Sequence, residues 1–189
     1  MVPTNNPTQF AFLSRILHWL MAALLVAMLF IGVSMVASLG DYHWLLALHR
    51  PLGILILILA AIRLITRLLT KAPALPSSMS PSERRVVKAS ERLLYFLFIA
   101  LPLVGWAMLS AGHYPIVMFG SVHLPPILPP IPELYATLRK THTLLAYLLF
   151  LAFMAHFGAV LFHTLIVRDG ILSRMVPWTV RPAKGDSRG

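Results

Sequence analysis

Long apolar runs broken by short polar stretches organise this chain of 189 residues. The runs Leu17 to Val36, Leu45 to Leu69, Leu93 to Leu109 and Leu144 to Val167 are each close to the ~20 residues that cross a hydrocarbon core about 30 Å thick. Each predicts a helix, because lipid offers no partner to backbone N–H and C=O groups and a helix satisfies its own. With interfacial ends included, the predicted spans are about 15–36, 45–69, 91–111 and 140–167 of one domain, and a polar tail occupies 178–189. The fold class is therefore all-α, an integral membrane four-helix bundle. The first run exceeds the roughly 7 to 15 apolar residues of a cleaved signal peptide, and no small-residue cleavage site follows it cleanly, so it is expected to remain as a span.

The connections differ in character. Ala37 to Trp44 is a short turn, and the stretch PALPSSMSPSERR offers Ser80 or Ser82 as a helix cap. Gly112 to Thr137 carries Pro115, Pro125, Pro126, Pro129, Pro130 and Pro132, which predicts a non-helical lid over one end of the bundle. Pro102 and Gly105 inside the third run predict a kink or a close helix contact. Trp44, Tyr114, Tyr135 and Trp178 fall near predicted interfaces, where aromatic rings commonly sit.

Composition agrees with the pattern: 58% of residues are hydrophobic and 12% charged, with a mean hydropathy of +0.80. Of the 16 Lys and Arg, 13 fall on one side: Arg15 at the start, Arg63 through Arg92 around the loop between the second and third spans, and Arg168 through Arg188 at the end. The positive-inside rule then places both termini and the Thr70 to Ser90 loop in the cytoplasm. The formal charge of +10 is mostly this topology signal; with no basic soluble domain, nucleic acid is not an expected partner. The absence of cysteine excludes disulfides, iron–sulfur clusters, thiolate zinc sites and covalently attached haem.

Histidine placement carries the chemistry. His142 and His156 are fourteen residues apart on the last span, almost four turns and about 21 Å of rise, so they share a face at different depths. Reading depth along each span pairs His18 with His156 near the cytoplasmic side and His49 with His142 near the outer side. Two facing imidazoles can supply both axial ligands of a haem iron, whereas zinc usually takes three or four protein ligands. Interhelical hydrogen bonding is the alternative reading for each histidine. Gly53, one turn after His49, allows either a porphyrin or a neighbouring helix to approach. Arg63, fourteen residues after His49, reaches the level of the inner pair, where it can neutralise a haem propionate; Arg67 reads as an anchor reaching lipid phosphate. Arg50, Arg139 and Lys140 are the only basic residues at the outer end. They can pair with outer-haem propionates, draw a small anion, or contact lipid headgroups. His163, seven residues beyond His156, is a candidate donor of a hydrogen bond or proton to a quinone, or an interfacial histidine without a role. His43, His113 and His123 carry no spacing signal.

These residues resemble those of the bacterial cytochrome b561 family, small four-helix di-haem cytochromes, and within it the superoxide:ubiquinone oxidoreductase (superoxide oxidase) type. The resemblance covers nearly the whole chain: His18-Trp19, His49 with Gly53 and the run Arg63 to Arg67, YFLFIALPLVGWAM from Tyr95 to Met108, His142 with His156 and His163, and Ser173 to Pro177. It implies two non-covalent b haems, with the fourth span giving one ligand to each. It further implies oxidation of superoxide at the outer surface, ubiquinone as electron acceptor, and a multi-pass place in the bacterial cytoplasmic (inner) membrane. Arg50, Arg139 and Lys140 would then steer superoxide. Arg50-Pro51 departs from the small or apolar residues found there in other members, and Pro51 marks either a kink or a first helical turn. Expected partners are the bilayer, superoxide and a quinone, with a homodimer left open. The competing functions are a membrane subunit wiring a soluble dehydrogenase or hydrogenase to quinone, and a haem-free transporter or scaffold.

Overall fold

A computed structural model describes residues 8–76, 78–118 and 120–176. The predicted tail over 178–189, with Trp178, lies outside them. Four long helices form: α1 over Phe12–Ala37, α2 over Tyr42–Leu69, α3 over Pro81–Ala111 and α4 over Pro132–Phe162. All four are long and apolar enough to cross a membrane. The chain is an integral membrane four-helix bundle.

Helix ends run past the predicted spans because local signals start them in the interface. Ser80 caps α3: its hydroxyl accepts from the Glu83 N–H, and the Glu83 carboxylate accepts from the Ser80 N–H at 2.6 Å, with Pro81 in the first turn. Pro132 likewise sits in the first turn of α4, which has no side-chain cap, so 132–137 is helical although the proline count predicted a loop as far as Thr137. Pro51 lies well inside α2, since that helix already begins at Tyr42. It therefore withdraws an interior backbone donor and is not a first-turn residue.

The central layer is small. Met21 and Leu25 of α1, Ala60 of α2, Leu94, Leu97 and Phe98 of α3, and Leu149 of α4 form the buried cluster. Large apolar side chains such as Phe30, Leu144 and Leu151 are mostly exposed. On a membrane protein they form the lipid-facing surface, where hydrocarbon replaces a partner. α1 packs along α2, α3 along α4, and α2 against α3; among the described residues α4 makes no comparable backbone approach to α1 or α2.

The two ends of the bundle are closed differently. At one end the lid contains an antiparallel hairpin, β1 (Ile116–Met118) with β2 (Val122–Leu124), in register Ile116 to Leu124 and Met118 to Val122. Gly120 turns the chain at φ 77°, a left-handed conformation that favours glycine. The lid is fastened to α3 by Trp106 Nε1–H to the Pro125 carbonyl at 2.9 Å and by Ile127 N–H to buried Ser110 Oγ at 3.1 Å. Gly112 is needed at the exit of α3, because a Cβ there would fall 2.6 Å from the Tyr114 ring. In the neighbouring turn between α1 and α2, Trp44 Nε1–H and the Ser38 hydroxyl donate to Asp41, holding its carboxyl below the usual carboxylate range.

At the opposite, basic end, the segment after α4 folds back beneath α1. Phe10 N–H donates to the Arg174 carbonyl at 3.1 Å, Trp19 Nε1–H to Met175 at 3.0 Å, and Arg15 Nη1 to Val176 at 2.9 Å. Arg174 Nη1 donates to the Ala74 carbonyl of the loop between α2 and α3. Both described ends of the chain and that loop thus share one face.

Candidate functional site

Helical period and rise bring the four histidines into two pairs. His18 of α1 faces His156 of α4 with ring centres 6.5 Å apart, and His49 of α2 faces His142 of α4 at 6.3 Å. Neither separation is a hydrogen bond. A metal bound between two imidazoles through bonds of about 2 Å separates the ring centres by about 6 Å. His18 and His49 each have a buried Nδ1 with no hydrogen-bond partner, which with these separations argues against hydrogen bonding within either pair. Each pair bridges α4 to a helix against which it does not pack closely. Among the described residues no three His, Cys, Asp or Glu side chains converge on a point. A metal taken up by either pair therefore needs its remaining ligands from elsewhere, and a porphyrin provides four. On donor set, spacing and helix separation, both sites fit haem.

The third helix supports the outer pair. A Cβ at Gly105 would lie 3.2 Å from Cε1 and 3.4 Å from Nδ1 of His142. Of the two readings of Pro102 and Gly105, the close contact is present, and its partner is a candidate ligand. Gly53 differs: a Cβ there would meet only Met28 Cε at 3.9 Å, so helix packing does not require glycine at that position. Trp19 packs edge-on to His18, with ring centres 5.8 Å apart.

Arg63 sits with its guanidinium carbon 5.4 Å from the Tyr95 ring centre. Arg67 does not reach outward to lipid phosphate. Its Nε donates to Glu91 at 2.9 Å and its guanidinium lies 5.6 Å from the Phe10 ring centre, because α3 starts early enough to bring Glu91 level with it.

The three outer cations divide. Arg50 donates from Nη1 to the lid carbonyl of Pro115 at 3.3 Å, while its buried Nε has no partner. Arg139 and Lys140 instead lie on an outward face of α4 shared with Tyr135, Ala136, Thr143, Leu144 and Tyr147. Two residues back along a helix, Lys140 projects about 160° away from His142; Arg139 is about 60° away. Arg139, three residues before His142, is on the side of the outer pair and Lys140 is not, so the three cations do not form one cluster around it.

At the basic end, His163 Nδ1 lies 2.7 Å from Oδ2 of Asp169, whose side chain is 6% exposed. Asp169 Oδ1 also accepts the Ile171 N–H at 3.1 Å. A π-helical turn over His163–Val167, then Arg168 at φ 57° and Gly170 at φ 70°, reverses the chain so that the two side chains meet. Sequence reasoning found His163 but missed Asp169. The available signal was an acid just before glycine, six residues after the histidine.

A helical membrane bundle with facing imidazoles on helices that stay apart defines a membrane cytochrome of the b type. The chain belongs to the prokaryotic cytochrome b561 family, which matches residues 9–178. It is 30% identical over 176 residues to cytochrome b561 homolog 2 of Escherichia coli K12, covering 92% of this chain and 94% of that protein. It is likewise 30% identical over 162 residues to the probable superoxide oxidase CybB of Yersinia pestis, covering 85% and 92%. Cytochrome b561 homolog 1 of E. coli K12 shares 27% over 170 residues, covering 85% and 93%. The protein is thus a multi-pass bacterial membrane protein of electron transport, from a family that uses haem b.

Proposed function

We propose that the protein oxidises superoxide at the lid face and reduces ubiquinone; His49 with His142, and His18 with His156, would each hold a b haem, and the two haems would supply the electron transfer between these reactions. The observation that carries this reading is that α4 presents two histidines, each opposite a histidine from a different helix, at 6.3 and 6.5 Å. The basic face is the cytoplasmic side of the bacterial inner membrane, with both termini there. Haem with two imidazole ligands supplies single-electron transfer at each site. Two superoxide ions give up one electron each and leave as oxygen, and a quinone takes both electrons with two protons.

The chain's own residues handle charge and protons. Arg139 and Lys140 place positive charge at the outer surface and raise the local concentration of an anion. Arg50, with its buried Nε open, would donate to an outer-haem propionate, and Arg63 would do so at the inner level. Gly53 leaves room on α2 for the outer porphyrin. At the basic face, the Asp169 carboxylate accepts from His163 Nδ1–H. That fixes the ring tautomer and leaves the second nitrogen to exchange a proton with a bound quinone.

A superoxide pulse on oxidised protein tests the reading. Haem reduction is expected to outrun spontaneous dismutation, to slow about tenfold in the double variant Arg139→Gln, Lys140→Gln at low salt, and to slow with rising ionic strength in the wild type. Reduction no faster than dismutation, in a protein that holds two haems, would refute superoxide oxidation. Co-purification of a stoichiometric soluble dehydrogenase would then favour the subunit function.

The quinone end has its own test. Asp169→Asn is expected to lower steady-state turnover with ubiquinone by tenfold or more while haem reduction by superoxide keeps its rate. Unchanged turnover would remove His163 and Asp169 from the proton route.

A further inference from the structure

Ser14 and Arg15, in the first turns of α1, are 4% and 8% exposed. Each keeps a buried polar atom without a partner: Ser14 Oγ and Arg15 Nε. Arg15 is otherwise held in place. Its Nη1 donates to Gln9 Oε1 and to the Val176 carbonyl, both at 2.9 Å, and its guanidinium carbon is 5.6 Å from the Phe12 ring centre. Among the described residues no carboxylate pairs with it. A buried cation with an open donor is costly, and so is a buried hydroxyl without a partner. Both would be satisfied together by an anionic oxygen acceptor.

Their place on α1 says which acceptor. Ser14 precedes His18 by four residues and Arg15 by three, so both lie on the His18 stripe one turn, about 5 Å, nearer the basic face. We propose that Ser14 Oγ and Arg15 Nε anchor a carboxylate of the porphyrin held by His18 and His156, a role that rests on the haem reading above. A b-type porphyrin carries two carboxylates. Arg63, at the level of the inner pair, is placed for one of them, and Ser14 with Arg15 takes the other. The cationic donor favours a carboxylate over a neutral quinone carbonyl, which is the competing acceptor at this depth. It also follows that the segment after α4, as far as Val176, steadies this anchor, since Arg15 is held by that carbonyl.

Redox titration of the purified protein, with both haems followed by visible absorbance, tests the anchor in Ser14→Ala, Arg15→Lys and Arg15→Gln. Removing positive charge beside one haem destabilises its reduced form. In Arg15→Gln, the reduced-to-oxidised ratio of one haem at fixed potential is therefore expected to fall about tenfold, a drop of about 59 mV in midpoint, while the other haem is unchanged. Ser14→Ala and Arg15→Lys should move the same haem in the same direction by less. The component that moves should be the one missing from His156→Ala. Ser14→Ala removes a hydroxyl with no partner in the protein, so it decides the matter even if Arg15→Gln folds poorly. Unchanged midpoints in Ser14→Ala and Arg15→Lys, with two haems retained, would overturn the anchor. So would a raised KM for ubiquinone with unchanged midpoints, which would assign these donors to a quinone carbonyl. A wild-type protein without two haems would instead refute the reading on which the anchor rests.

Discussion

His156→Ala is expected to lower the haem b content of the purified protein from about two per chain to about one, and His49→Ala to do the same at the other depth. Each substitution removes one imidazole of a facing pair and leaves its partner, His18 or His142, with a single protein ligand. Neither histidine lies in the buried cluster around Leu97, so the bundle should persist. Pyridine-haemochrome counting with a reduced-minus-oxidised spectrum reads the result directly. Superoxide-driven quinone reduction should fall to background in both variants, because a centre is lost on either side of the same path. Haem content unchanged by both substitutions would break the assignment of all four histidines, and with it the proposed route.

Filling Gly105 is the second large effect. The Cβ of Gly105→Ala would approach His142 Cε1 to 3.2 Å, tight enough that the imidazole must give by a few tenths of an ångström. Gly105→Leu adds a branched group on the same line and cannot be absorbed by so small a shift. Overpacking of this kind costs about 1–3 kcal/mol when the surroundings yield. Here the His142 ring is the part displaced, and it is also the part that must face His49. The leucine variant is expected to lose the outer haem and keep the inner one, giving about one haem per chain as His49→Ala does. The alanine variant should keep both, with a changed spectrum for one. Two unperturbed haems in Gly105→Leu would show that α3 does not set the ring position.

Much of the architecture is legible in the residues. Apolar run length determines four spans, since a helix rises a fixed distance per residue and the hydrocarbon has a fixed thickness. The same constant rise places His142 and His156 on one face at two depths, where they meet His49 and His18. A cap at Ser80 or Ser82 was legible, because capping is decided within four residues, and the structure takes Ser80. Contacts between segments were not. The interior place of Pro51 and the early start of α4 depended on where the helices began in the interface, beyond the apolar runs.

What the sequence by itself determined is the set of quantities that follow from local geometry: the class of bundle, the depth of each histidine, and the face from which it projects. Only the tertiary structure decided which side chains meet. It placed Gly105 against His142, closed Arg67 on Glu91, turned Arg50 to the lid carbonyl of Pro115, and folded Asp169 back onto His163. The physical reason is common to all four. Rise and period are properties of a single helix, whereas these contacts depend on how helices are rotated against one another and on where loops reverse, and those are settled by packing across the whole bundle.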